Sequence, residues 1–66
     1  MIKCHVSKIM GEKRLKIADV ARETGLNRGT ITRMYNETAT RIELDAIETL
    51  CRYLNVKIED LYEFVD

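Results

Sequence analysis

The 66-residue chain contains no apolar run approaching the roughly 20 residues that cross a bilayer, so no membrane span is expected. No extended apolar segment follows Met1-Ile-Lys-Cys-His5; this argues against a secretory signal and leads us to expect the chain in the cytoplasm. Cys4 and Cys51 lack the Cys-x-x-Cys spacing of a zinc or redox site, and both are expected to serve as small core hydrophobes in a reducing compartment. His5 is the one histidine, so a metal would find no partners for it. The sequence has neither a glycine-rich phosphate loop nor a nucleophile motif, and the adjacent Glu59 and Asp60 fit the N-terminal dipole of a helical turn better than acid-base chemistry. With so short a chain also unable to enclose a catalytic cleft, no enzyme activity and no cofactor are expected.

Net charge is absent too, with eleven bases balancing eleven acids, which at first sight speaks against a polyanionic partner. The distribution reverses that. Residues 1–41 carry nine bases against four acids, and residues 42–66 carry two bases against seven acids. The molecule should therefore have a basic side whose field attracts phosphate despite overall neutrality. A hydrophobic content of 45% with 33% charged residues is a globular balance. One domain, residues 1–66, is expected, without repeats or linkers. Chains of this size bury only about 60% of their unfolded surface, so a partner subunit would add stability.

The most informative stretch is Ile17 to Asn36, which reads as two short helices joined by a glycine-centred turn. Val20 and Ala21 give the first of these helices a small apolar face, and Gly25 supplies the positive φ that ends it. Asn27 offers a side-chain oxygen to cap the second. Ala21 is small enough for the two backbones to cross closely, and Ile31 and Met34, three apart, face inward. That leaves Arg28, Gly29, Thr32, Arg33 and Asn36 on the outer face, groups able to hydrogen-bond base edges and phosphates. An ordinary helical hairpin meeting only water is the plainer alternative. The demanding spacing and the two arginines on the exposed face argue against it.

Around this unit, Val6, Ile9 and Met10 predict a helix from Val6 to about Arg14, with Leu15 anchoring the connection to the core. The next helix, about 17–24, lacks a good N-cap, because Lys16 offers no acceptor; water or a bound phosphate could serve its free amides instead. The following helix is expected over Arg28–Asn36, then a loop over Glu37–Glu43. Leu44, Ile47, Leu50, Cys51 and Leu54 form one apolar stripe and mark the core helix. Asn55 should stop it, Val56 and Ile58 should re-enter the core, and Glu59–Tyr62 should add a turn. Residues 2–5 and 62–65 are candidates for a small terminal β-ribbon.

The segment Ile17–Asn36, followed by a loop, by Leu44-Asp-Ala-Ile-Glu-Thr-Leu-Cys-Arg-Tyr-Leu-Asn-Val56 and by Ile58-Glu-Asp-Leu61, resembles the Xre/Cro-like, phage-repressor family of helix-turn-helix regulators. The resemblance covers nearly the whole chain. It implies an all-α, five-helix, lambda-repressor-like fold whose helix over residues 28–36 enters the DNA major groove. By that resemblance Asn27, Arg28, Gly29, Thr32 and Arg33 match base- or backbone-facing positions, with Thr30 among them, while Asn36, Thr38, Thr40 and Arg41 match positions that meet phosphate. Two departures stand out. Family members usually place threonine or serine and then glutamine where this chain has Lys16 and Ile17, so Lys16 would supply charge in place of a hydrogen bond. Gly29 replaces a base-reading side chain, which shifts specificity toward Arg28 and Arg33.

The expected function is therefore that of a sequence-specific, double-stranded-DNA-binding transcriptional regulator, a repressor, working as a homodimer on an inverted repeat with half-sites about ten base pairs apart. The dimer surface is expected on the outer side of the core helix, at Arg52 and Tyr53, and on the terminal segments, where a ribbon would present a free edge. The alternative is a protein-interaction module on the same scaffold, such as an antirepressor, an antitoxin or a regulatory subunit, acting through the acidic C-terminal half.

Overall fold

Apolar residues at helical spacing build five helices, and two extended ends pair beside them. The computed structural model describes Met1–Asp66. In chain order the elements are β1 (Ile2–Cys4), α1 (Val6–Glu12), α2 (Ile17–Thr24), α3 (Arg28–Tyr35), α4 (Leu44–Leu54), α5 (Ile58–Leu61) and β2 (Tyr62–Phe64). One cluster of ten apolar residues drawn from β1 and all five helices forms the core: Cys4, Val6, Ile9, Met10, Val20, Ile31, Met34, Leu50, Leu54 and Leu61. No polar or charged residue is buried with them.

Each of the first four helices ends at a left-handed residue, which turns the chain back onto this core. Gly25 does so without a Cβ, at φ 76°; Arg14, Glu37 and Asn55 do so as non-glycine residues, each at φ 57°. After α1 the Arg14 N–H donates to Gly11 O (3.2 Å) and the Leu15 N–H to Met10 O (2.8 Å). The same pair of bonds closes α3, from Glu37 N to Met34 O (3.2 Å) and from Thr38 N to Arg33 O (2.9 Å). These closures correct two expected boundaries. The first helix ends at Glu12 rather than Arg14, because Leu15 must turn inward to pack on the core. Asn36 is the C-cap of α3 rather than its last residue.

Two residues expected in the core, Leu44 and Ile58, lie outside it. Leu44, the first residue of the apolar stripe, is 79% exposed, because the first turn of α4 overhangs the core and Ala46 supplies the buried contact there. Ile58 is also exposed; α5 is a single turn with one inward direction, which Leu61 takes. On the ribbon Cys4 is buried while Ile2, on the same face, is not.

The terminal ribbon forms as anticipated. β1 and β2 are antiparallel, with Ile2 opposite Phe64, Lys3 opposite Glu63 and Cys4 opposite Tyr62. Met1 and Val65 exchange both backbone bonds at 2.8 Å, and the His5 N–H donates to Leu61 O at 2.8 Å. The exposed edge of β1 is partly closed, since the Cys4 N–H donates to Glu37 Oε1 (3.1 Å). Burial pushes the Cys4 thiol and the Tyr62 hydroxyl up, keeping both neutral beneath the ribbon.

Candidate nucleic-acid interface

The unit from α2 to α3 is held by local bonds that its own residue types dictate. The Thr24 hydroxyl donates to Val20 O (2.6 Å) and accepts the Leu26 N–H (3.2 Å), while the Gly25 N–H closes α2 on Ala21 O (3.0 Å). Asn27, extended at φ −62° and ψ 129°, caps α3 by accepting the Gly29 N–H at 2.7 Å. Ile31 and Met34 then anchor α3 in the core. Two short helices are thus joined by the three-residue turn Gly25–Asn27, with α3 anchored by its inward face.

On that face Arg28, Arg33 and Asn36 are exposed, and Gly29, Thr30 and Thr32 are half-buried. Residue 29 has no side chain to fill the space there, and the Arg33 guanidinium reaches back along the helix to Thr30 Oγ1, a long contact of 3.4 Å. The Thr32 hydroxyl donates to Arg28 O (2.9 Å), leaving its lone pairs outward. Tyr35, not singled out from the sequence, is partly exposed and continues the stripe of Arg28 and Thr32 at the next helical turn. The signal for it was its position seven residues after Arg28.

Arg33 and Arg41 line one groove of about 530 Å³ between α3, the following loop and the start of α4, together with Asn27 and Thr30. The opposite wall carries Glu43 and Asp45, acidic residues that the sequence reading had not associated with this face. Neither carboxylate forms an ion pair with either arginine, and Arg28 is equally free of a carboxylate partner. Arg22 and Arg52, by contrast, are engaged with Asp19 and Glu23 and with Glu48, respectively. Three arginines without a carboxylate partner therefore surround α3.

The remaining candidates are distributed unevenly. Thr38 and Thr40 are exposed in the loop, although the Thr38 N–H is already used to close α3. Thr40 and Arg41 line a second groove on the side of the ribbon. Lys16 is exposed at the start of α2. Its N–H donates to Asp19 Oδ2 (3.2 Å), which ties the residue ahead of the helix to the first turn of α2. This bond, with Arg22 beside it, holds the Asp19 carboxyl below the usual carboxylate range. Tyr53, expected on a free outer surface, instead turns to α2 and donates its hydroxyl to the Glu23 carboxylate.

A two-helix unit of this geometry, with a second helix presented outward, defines a helix-turn-helix protein. A family model for the Cro/C1-type helix-turn-helix DNA-binding domain matches residues 5–66, and the chain belongs to that family. This places it among proteins that bind double-stranded DNA. The fold is also that of a crystal structure of a proposed DNA-binding protein from Bacteroides fragilis, with a TM-score of 0.81 and 22% sequence identity, over 96% of this chain and 100% of that one. A search of curated proteins returns no match.

Proposed function

We propose that the chain is a sequence-specific transcriptional regulator that lays α3 in the major groove and represses by occupying its operator. The observation that carries this reading is the absence of any carboxylate partner for Arg28, Arg33 and Arg41, while Arg22 and Arg52 are committed elsewhere. An arginine on the exposed face of a groove-sized helix can donate two bonds to the acceptors of guanine. Asn27, Gly29, Thr30 and Thr32 line the same approach; Lys16, Asn36, Thr38, Thr40 and Arg41 flank it and meet phosphate in this reading. The exposed face of α3 is basic and polar, with Tyr35 its one large partly exposed aromatic, which supports DNA over a protein ligand.

A single module of this size covers about 600–1,000 Å² and reads few base pairs, so the working unit in this proposal is a homodimer on an inverted repeat. Selection from random duplex DNA tests the reading. It predicts enrichment of a two-fold repeat with half-sites about ten base pairs apart, each containing guanine; recovery of no preferred sequence would overturn it.

A further inference from the structure

The groove between α3 and the start of α4 carries opposite charges on its two walls, Arg33 and Arg41 on one and Glu43 and Asp45 on the other. Both carboxylates are exposed, neither forms an ion pair, and Glu43, the N-cap of α4, makes no side-chain capping bond. Within the fold, only the α4 dipole acting on Asp45 in the first turn accounts for a negative charge here. The surroundings favour the opposite sign. A helix N-terminus with free N–H groups attracts phosphate, and two arginines beside it would strengthen that pull whatever the base sequence. Glu43 and Asp45 cancel it, since two acids face two bases across the groove.

Resting on the DNA reading above, we propose that Glu43 and Asp45 are specificity-determining residues that exclude the phosphate backbone from this groove and so penalise random duplex more than operator. Specificity is a difference of affinities, and like charges brought together suppress the wrong partner. On the operator, base contacts from Arg28 and Arg33 hold one register. In that register the backbone is met from the ribbon side, where Thr40 and Arg41 line the second groove, and not across Glu43 and Asp45. Random duplex is held by charge alone and in many registers, some of which lay a phosphate against the two carboxylates.

Affinities of the parent, Glu43→Gln and Asp45→Asn for the selected operator and for random duplex, measured at low salt, test the proposal. Each variant should bind random duplex about fivefold more tightly, the factor for two unit charges about 4 Å apart in water, and gain less than about twofold on the operator. The salt slope on random duplex should steepen by up to about one. Glu59→Gln, which removes a charge from the exposed surface of α5, should leave the operator-to-random ratio at the parent's value. A role confined to the helix dipole would instead lower the urea midpoint of Asp45→Asn and leave its ratio unchanged. That unchanged ratio, an equal fall in Glu59→Gln, or lost operator affinity with relaxed preference at a cytosine, whose N4 amine a carboxylate accepts, would each overturn the proposal while leaving the DNA reading standing. A parent that prefers no sequence would overturn both.

Discussion

A methyl group on residue 29 would stand 3.2 Å from a guanidinium nitrogen of Arg33 and 2.9 Å from Asn27 Oδ1, so Gly29 leaves open the space over which Arg33 folds toward the start of α3. Gly29→Ala should therefore act through Arg33. On the preferred operator it should cost about 1–3 kcal/mol, with relaxed preference at the base pair that Arg33 reads. In an Arg33→Ala background the same substitution should cost little, because two changes acting through one contact do not add. Stability should stay near the parent's, since alanine's helix propensity, worth up to about 1 kcal/mol, opposes a similar cost from crowding the cap. Equal losses in the two backgrounds would show that residue 29 does not position Arg33.

Lys16 and Arg41 should contribute charge without sequence information. Each alanine variant should weaken binding to every duplex alike and lower the slope of log affinity against log salt by about one. A titration series on operator and random DNA measures both; slopes unchanged from the parent would place these residues off the backbone.

Arg14 should be replaceable to advantage. It is exposed and held at φ 57°, where an L-residue is strained by about 1–2 kcal/mol and glycine is not. Allowing for the greater freedom of glycine in the unfolded chain, Arg14→Gly should stabilise by about 0.5–1 kcal/mol, read as a higher denaturant midpoint. Glu37→Gly should gain less, because it also removes the acceptor of the Cys4 N–H. A lower midpoint for Arg14→Gly would contradict the strain argument.

Asp19 should give the fold an acid-sensitive element. The Lys16 N–H and Arg22 favour its charged form, so its pKa is lower folded than unfolded. The stabilisation is present above the unfolded aspartate pKa of about 3.9 and is lost as pH falls through the lower folded value. Asp19→Asn, which keeps an acceptor but does not titrate, should flatten this part of the acid limb in urea melts. An acid limb of unchanged steepness in that variant would assign the sensitivity to other carboxylates.

The sequence spoke most clearly where a residue type answers a local backbone need. Gly25 and Asn27 stop and start helices through bonds spanning four residues or fewer, and they do so in the structure. The inward pair Ile31 and Met34 followed equally from helical period. Periodicity also placed Leu44 on the apolar stripe of α4 but says nothing about where the core beneath that stripe ends. The left-handed turns at Arg14 and Glu37 carried no glycine to announce them. The contacts of Glu37 with Cys4, 33 residues apart, and of Tyr53 with Glu23, 30 apart, depend on how the whole chain packs. Among the site residues the outward set on α3 was legible from spacing. Which arginines lack a carboxylate partner was not, because pairing depends on where neighbouring carboxylates fall in space.

The central claim is that α3 reads sequence through Arg28 and Arg33, and the most direct test is the ratio of operator to random-duplex affinity in the parent, Arg28→Ala and Arg33→Ala at one salt concentration. The account predicts that each variant loses about 1–3 kcal/mol on the operator and much less on random DNA, so that the ratio collapses and preference relaxes at a different base pair in each. Equal losses on both duplexes, with the ratio unchanged, would mean that the two arginines only touch phosphate and would contradict the account.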